Sequence, residues 1–334
     1  MKIGLSILLL TLTFFASFVI PTELHEFSIQ GYAQGTTYSI KYFAEDNRVS
    51  KDEIDSILIA IDSSMSLYKS YSFINKFNLS ERGSFVDGHF KNVLQRSFEI
   101  NRDSKGLFDI TVAPLVSYWG FGPKTVPVSP VKKLSDLLPC VGMKNIRLVK
   151  DSLFKTKPCV QVDVNGIAQG YAVDVVANYL LLRGISSFLV EIGGEIRVNG
   201  KKPDGKLMKV GIEGPGKDSS KEPIIQHIVS LESGAITTSG NYRNYLIKDN
   251  KKISHLINPK TGSPLTNEMV SATVYAADAI TADGYDNVLM AMSIKEALAF
   301  VNKRKHLDAY LIYRRQDGKL VDTATAGFLR LMVK

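Results

Sequence analysis

Between Phe188 and Gly200 the chain runs through a short apolar stretch, 188–192, then Gly193-Gly194, then a second stretch ending on Asn199-Gly200. Paired glycines between short runs, with Asn-Gly after them, are hairpin punctuation, because such turns need positive φ. A hairpin joins antiparallel neighbours only, so this feature commits part of the chain to an antiparallel sheet. The same pattern opens the chain: Gly31 and Gly35 precede alternating Tyr38, Ile40 and Tyr42, which predicts paired strands over 27–43. Further strands are expected at 159–164, before a tight turn at Asn165-Gly166, and at 209–213, 226–231, 235–238 and 270–276. Helical spacing of apolar residues appears over 52–68 (Ile54, Ile57, Leu58, Ile61, Met65) and 90–103 (Val93, Leu94, Phe98). It recurs over 170–183, where Gly184 ends the helix, and over 279–292. Residues 108–123, with Pro114, Trp119 and Gly120-Phe121-Gly122-Pro123, read as a short helix running into an aromatic loop. Residues 295–334 predict one helix and two strands. Without a strict βαβ alternation, the fold class is mixed α/β (α+β) with a substantial antiparallel sheet and packed helices.

A chain of 334 residues with 45% hydrophobic and 22% charged residues buries a large core, and no composition shift marks an internal boundary. The net charge of +8 comes from scattered lysines and arginines; pairs such as Lys251-Lys252 are no nucleic-acid footprint, so no nucleic-acid partner is expected. After Met1-Lys2, an uncharged, mainly apolar run extends to Ile20 and Pro21. Residues 1–22 therefore read as a signal peptide or N-terminal membrane anchor, and 23–334 as the folded domain. That predicts an exported protein. Cys140 and Cys159 are the only cysteines. They pair outside the cytoplasm or remain two buried thiols; with no metal-site companions they do not indicate zinc.

Four segments carry residues fit for chemistry. In 281–287, Asp283, Asp286 and Asn287 fall at i, i+3 and i+4 near the start of a helix, a set of oxygens suited to a hard cation such as Mg²⁺. Acids in a first turn also serve the helix dipole alone, yet Gly284 inside a helix costs about 1 kcal/mol and asks for a reason. In 162–174 (Asp163, Gly166, Gln169, Gly170, Asp174) a strand passes through glycines into a helix N-terminus, an arrangement for phosphate that is neither a Walker loop nor a Gly-x-Gly-x-x-Gly fingerprint. Thr237-Thr238-Ser239-Gly240 with Tyr242 and Arg243 gathers hydroxyls and a cation. Ser254-His255, with Ile257-Asn258-Pro259 and Thr261-Gly262, places one of five histidines at a proline- and glycine-containing turn, where a histidine is commonly structural. No Gly-x-Ser-x-Gly or His-Glu-x-x-His occurs, which argues against serine hydrolases and zinc proteases.

In this order and spacing the segments resemble the ApbE family of FAD:protein FMN transferases. The likeness is carried by Gly31, Gly35-Thr36-Thr37-Tyr38, Met65-Ser66-Leu67-Tyr68, Ile74-Asn75, Phe77-Asn78 and Phe108-Asp109-Ile110-Thr111 through Trp119-Gly120-Phe121-Gly122. It continues with 163–174, Glu191-Ile192-Gly193-Gly194-Glu195, Thr238-Ser239-Gly240, the His255 segment and Ala282-Asp283. The resemblance implies an ApbE-like fold and an exported or membrane-anchored enzyme. It implies FAD as substrate with Mg²⁺ across the diphosphate, and a threonine of a target protein that takes FMN while AMP leaves. The expected acceptor is a flavoprotein subunit of a membrane redox complex. Carried over by position, the Gly166 carbonyl, Asp283, Asp286 and Asn287 would hold the metal, with Asn287 standing where threonine is common. FAD contacts would fall at Gln34, Tyr68, Leu107, Phe108, Asp109, Asp163, Gln169 and Ile257; Gln34 replaces a frequent methionine and Gln169 a lysine or glutamate. His255 would act as general base or position the acceptor, and Asp286 would share in catalysis. The competing readings are a metal-dependent FAD pyrophosphatase, a non-catalytic flavin-binding protein and a ligand-free structural domain.

Overall fold

The computed structural model describes residues 23–122, 133–215, 224–242, 245–248 and 251–333. The proposed signal or anchor at 1–22, Pro123 and the cation Arg243 lie outside the described residues. Eight strands form one sheet in the order His25–Ala33, Thr36–Ala44, Ser187–Ile192, Glu195–Asn199, Ser233–Gly240, Met269–Ala276, Asp308–Arg314 and Leu320–Ala324. Every pairing in it is antiparallel. Gln34-Gly35 and Gly193-Gly194 take positive φ and close two hairpins, whereas Asn199-Gly200, marked in the sequence as a hairpin turn, closes none: strand Glu195–Asn199 pairs with Ser187–Ile192 and Ser233–Gly240.

The sheet is covered on both faces. One face packs on helices Lys51–Met65, Gly88–Asp103, Ala168–Leu182 and Ala279–Met290, through a core that includes Ile40, Phe77, Phe90, Leu94, Val173, Val190 and Val274. The other face carries Ile236, Val270 and Ile312 against the paired strands Met208–Gly214 and Ile224–Leu231 and against Phe328 of helix Ala326–Leu331. Among the described residues no helix is long and apolar enough to cross a membrane.

Three expectations need correction. Residues 159–164 are not a strand. Val160, Val162 and Val164 are buried, but the backbone there pairs with a side chain in place of a strand: Asn78 accepts from the Val162 N–H (2.7 Å) and donates to its carbonyl (2.9 Å). The Asp163 N–H donates to the Ile110 carbonyl (2.7 Å), and the buried Lys155 ammonium donates to the Asn78, Pro158 and Val160 carbonyls. Alternating valines thus mark a buried extended strap as readily as a strand. Second, the helix expected over 279–292 ends at Met290; every residue of Ala279–Met290 except Asn287 is buried, between the sheet and two other helices. Third, the C-terminal part adds helix Ala326–Leu331 to the expected helix and two strands; Thr325 caps it by accepting from the Phe328 N–H. The open alternative for the cysteines resolves as a Cys140–Cys159 disulfide, which ties the start of the strap to a 3-10 turn at Leu138–Cys140.

Candidate functional site

Two helix N-termini face each other and exchange carboxylates. Helix Ala168–Leu182 has no side-chain cap of its own; the Gly170 N–H in its first turn donates to Asp283 Oδ2 of the other helix (2.8 Å). In return Asp174 accepts from the Ala279 and Ile280 N–H groups at the start of helix Ala279–Met290 (3.0 and 2.8 Å), beside that helix's own cap, Asp278. Orphan N–H groups of each helix are satisfied by the other, and each helix dipole sees an anion. Gly170 makes the approach feasible, since a Cβ there would lie 2.4 Å from the Ala279 carbonyl oxygen and 2.7 Å from Asp283 Cβ. Asp174 is therefore a cap between helices, held further by Arg197 at 2.8 Å.

Around Asp283 the acceptors converge. Asp286 is buried one turn on, with Oδ2 accepting from the Thr237 hydroxyl of strand Ser233–Gly240 (2.7 Å). The Asn287 amide nitrogen sits among the Gly166 carbonyl (3.3 Å), the Asp283 main-chain carbonyl (3.1 Å) and Asp286 Oδ1 (2.9 Å). Burial pushes the Asp283 carboxyl up to about 7, opposed by the Gly170 N–H and reinforced by the Asp174 charge. Burial raises Asp286 well above the ordinary carboxylate range; the Asp283 charge adds to this, Thr237 opposes it, and Glu195 adds again. A site in which carbonyl and carboxylate oxygens surround the Asn287 amide nitrogen, and in which burial drives two adjacent acids toward their neutral forms, favours added positive charge. Gly166, Asp283, Asp286 and, with its amide turned over, Asn287 could hold a hard cation there. Among the described residues no group of three or more His, Cys, Asp or Glu side chains has metal-binding geometry, so such a site would need the carbonyl and the amide.

Gly284 has a packing reason: a Cβ there would lie 2.3 Å from Ile100 Cδ1 of helix Gly88–Asp103. Gln169 reaches the Gly193-Gly194 turn, where its amide donates to the Ile192 carbonyl (3.3 Å) and occupies the space a Gly193 Cβ would fill. Thr36 adjoins the same turn, its methyl 2.9 Å from where a Gly193 Cβ would be; Gln34 (φ 54°) lies two residues before it, in the neighbouring hairpin turn.

A second group gathers at the strap. Asp163 accepts from the Asn165 N–H (2.8 Å), and burial raises its carboxyl. Asp109 accepts from the Thr111 N–H and hydroxyl through Oδ1, and from the Met143 N–H through Oδ2; burial again raises it. Both Asp109 oxygens are thus engaged within the fold, and Phe108 lies in the core with Leu107 packed at its edge. In a third group, the Trp119 indole donates to the Gly262 carbonyl (2.8 Å), joining the aromatic loop to the turn after His255. His255 lies edge-on to Phe121, with ring centroids 6.3 Å apart. Ile257 packs into the small core of Leu115, Leu137 and Val141. Tyr68 stands 69% exposed after helix Lys51–Met65, and no described hydrogen bond or ring contact ties it to the other candidates.

Sequence reading missed the role of Thr237 as the Asp286 partner, Asp174 as a cap and Asn78 with Lys155 as the strap's anchors. Thr237 had a signal, since its hydroxyl-rich segment was already marked; Lys155 had none, because a lone lysine reads as surface.

An antiparallel sheet that backs a glycine turn and a buried acid pair places the chain in the α+β class, and comparison narrows it. The ApbE family model matches residues 34–311. A FAD:protein FMN transferase of Vibrio cholerae serotype O1 is 36% identical over 298 residues, 87% of this chain and 88% of the relative. One from Haemophilus influenzae is 33% identical over 318 residues, 91% of each chain. Among solved structures, the flavin transferase ApbE from Vibrio cholerae superposes with a TM-score of 0.80 at 33% identity, covering 92% of this chain and 99% of that one. The apo flavinyl transferase ApbE of Pseudomonas stutzeri also gives 0.80, at 31% identity, covering 92% and 97%. The chain belongs to the ApbE family.

Proposed function

We propose that this protein is a FAD:protein FMN transferase that moves the FMN half of FAD onto a threonine hydroxyl of an acceptor protein and releases AMP. One observation carries the reading: the Gly166 carbonyl, Asp283 and Asp286 meet where a cation is wanted, beside the first turn of helix Ala168–Leu182. Relatives at 31–36% identity over most of the chain bear this activity in their names.

The donor set fits Mg²⁺: hard oxygens, two of them from buried acids whose carboxyls burial holds above the ordinary range. When bound, Mg²⁺ would neutralise diphosphate charge and favour departure of AMP. Asp283, held by Gly170, and Asp286, held by Thr237, keep their carboxylates in place for it. Gln169 and Gln34, at neighbouring turns, and Asp163 on the strap would contact the flavin nucleotide, with residues 107–109 and Ile257 shaping the walls. The threonine oxygen bonds to the FMN-side phosphorus as the bond to the bridging oxygen breaks. AMP leaves with that oxygen and its electron pair, and the threonine proton passes to the His255 imidazole.

Export to the periplasmic side of a membrane through residues 1–22 is part of the proposal; the Cys140–Cys159 disulfide supports an oxidising compartment. A flavoprotein subunit of a membrane redox complex is the acceptor this placement favours. The test is incubation with FAD, Mg²⁺ and a threonine-bearing acceptor domain, read by intact-protein mass spectrometry. An FMN-sized addition on threonine supports the reading; free FMN and AMP with an unlabelled acceptor would establish a pyrophosphatase instead.

A further inference from the structure

A small sheet of Gly83–Phe85, Ser152–Lys155 and Ile146–Val149 ends on the last of these, which has a strand partner on one side only. Its other side opens on a cleft of about 630 Å³. One wall is a single face of helix Gly88–Asp103, with Gln95, Phe98, Glu99 and Arg102 at i, i+3, i+4 and i+7. The other wall is Ile146, Arg147 and Leu148 in succession. Successive strand side chains point to opposite faces, and here Ile146 is buried while Arg147 is exposed, so all three meet one cleft only along the strand's edge. The ladder fixes what that edge offers. The two-residue turn Lys150-Asp151 makes Val149 and Ser152 a hydrogen-bonded pair, and Asn145 is in the same phase, its carbonyl accepting from the Thr156 N–H (2.9 Å). By alternation the Leu148 N–H and carbonyl point away from Ser152–Lys155, toward the cleft. No turn, loop or side-chain group among the described residues bonds to either. The charge is one-sided too: Glu99 accepts from Arg96 (2.8 Å), whereas Arg102 and Arg147 are exposed and make no ion pair or side-chain hydrogen bond among the described residues. Phe98 and Leu148 pack on the edge of the core and leave part of their surface to the cleft. Both walls run into the Asp109 segment. Near the end of the helix Asn101 donates to the Phe108 carbonyl (2.6 Å), and just before the strand the Met143 N–H donates to Asp109 (3.1 Å).

From this geometry we infer that the cleft is a docking groove for the acceptor protein, which enters as an extended segment, adds a fourth strand beside Ile146–Val149 and sets an acidic side chain between Arg102 and Arg147. This rests on the transferase reading. Free edges occur elsewhere, in the outer strands of the eight-stranded sheet; what qualifies this one is a helix wall and two cations at hand. Main-chain bonds to the Leu148 N–H and carbonyl hold the segment, as in β-strand addition. A carboxylate is the partner that two unpaired guanidinium groups select. An apolar neighbour on the segment covers Phe98 and Leu148. A strand of four residues adds few bonds, so the acceptor is held weakly, as suits a substrate that leaves after one transfer. Because both walls end at the segment 107–109, a protein held here lies against the wall assigned to the nucleotide. FAD and the metal, bound at the carboxylate helix, do not require the cleft.

The test compares the wild-type protein with Arg147→Glu and with the double variant Arg102→Glu/Arg147→Glu in FMN labelling of an acceptor domain. FAD affinity by flavin fluorescence and amide hydrogen exchange at Leu148, with and without acceptor, are measured alongside. Arg147→Glu should raise the KM for acceptor about tenfold, the order expected for exchanging one attraction for a repulsion, and the double variant should raise it further. The wild-type KM should climb with salt, and that of the double variant should not. Acceptor should slow exchange of the wild-type Leu148 amide, a readout that charge attraction alone does not move. FAD affinity should stay at its wild-type value in both variants. Equal acceptor KM in all three proteins, or a Leu148 amide whose exchange is unchanged by acceptor, overturns the docking role while leaving the transferase reading intact. A loss of FAD affinity in Arg147→Glu overturns it in favour of a nucleotide subsite. A wild-type protein that labels no acceptor removes the transferase reading, and the docking role falls with it.

Discussion

Helix Gly88–Asp103 turns Ile100 toward Gly284 of the carboxylate helix, and Phe98, Glu99 and Arg102 toward the cleft beside strand Ile146–Val149. The two places obey opposite rules. At the carboxylate helix the acids are buried and bonded to partners distant in sequence: Asp283 to Gly170, Asp174 to Ala279 and Ile280, Asp286 to Thr237. At the cleft, two arginines face water and a short strand has a partner on one side only. The first region is determined by the fold and tolerates little change. The second contributes little to the fold and is free to be shaped by a partner. A transferase that uses one small-molecule donor and one protein acceptor needs both kinds of surface.

The sharpest way to break this contrast is Asp283→Asn. Activity should fall by about a thousandfold or more, as for loss of a principal electrostatic contributor. Mg²⁺ should raise the unfolding midpoint of the wild type by binding the native state, and should not raise that of the variant. Retained Mg²⁺ stabilisation would remove Asp283 from the cation site.

Next in size is a pair of glycine substitutions on the facing helices. Gly170→Ala places a methyl group against backbone and Asp283 Cβ, so it should cost about 1–3 kcal/mol in urea unfolding and reduce activity as well. Gly284→Ala meets the side-chain tips of Ile100 and Ile167, which can turn aside, and the gain of about 1 kcal/mol in helix propensity offsets the crowding. Equal losses in the two variants would show that the interlocked helix ends have no special rigidity.

Lys155 tests the strap. Burial pulls its ammonium down to about 8 from 10.5. A lysine with a lowered folded value binds fewer protons folded than unfolded between those limits, so the wild type should gain stability relative to Lys155→Met from about pH 7 to about pH 10. A difference that is flat with pH would mean that Lys155 is more solvated than its three carbonyl partners imply. The smallest expected effect lies at the cleft: Arg147→Ser should move global stability by no more than about 0.5 kcal/mol. A larger loss would make the cleft wall part of the core and dissolve the contrast.

How far the sequence reached follows the same division. Hairpins closed at Gly35 and Gly193-Gly194 were legible because positive φ favours glycine, and helices such as Lys51–Met65 and Gly88–Asp103 because each has an apolar stripe. The acids at 283 and 286 were legible as a spacing. Their setting was not: that Asp286 answers to Thr237, and that Gly284 is needed for Ile100, are facts of long-range packing. The strap misled for a related reason, since a side chain, Asn78, took the ladder's place. The disulfide stayed open because pairing depends on proximity, which two cysteines alone do not encode.

The exchange of carboxylates between helix ends also sets a date in the life of each molecule. Gly170 and Asp283 are 113 residues apart, and Asp174 and Ala279 are separated by 105. A nascent chain that has released its glycine turn has nothing to close it with until the last fifth of the protein is made. Until then it presents a bare helix end and no acid pair. A product terminated before Ala279 therefore lacks both halves of this exchange.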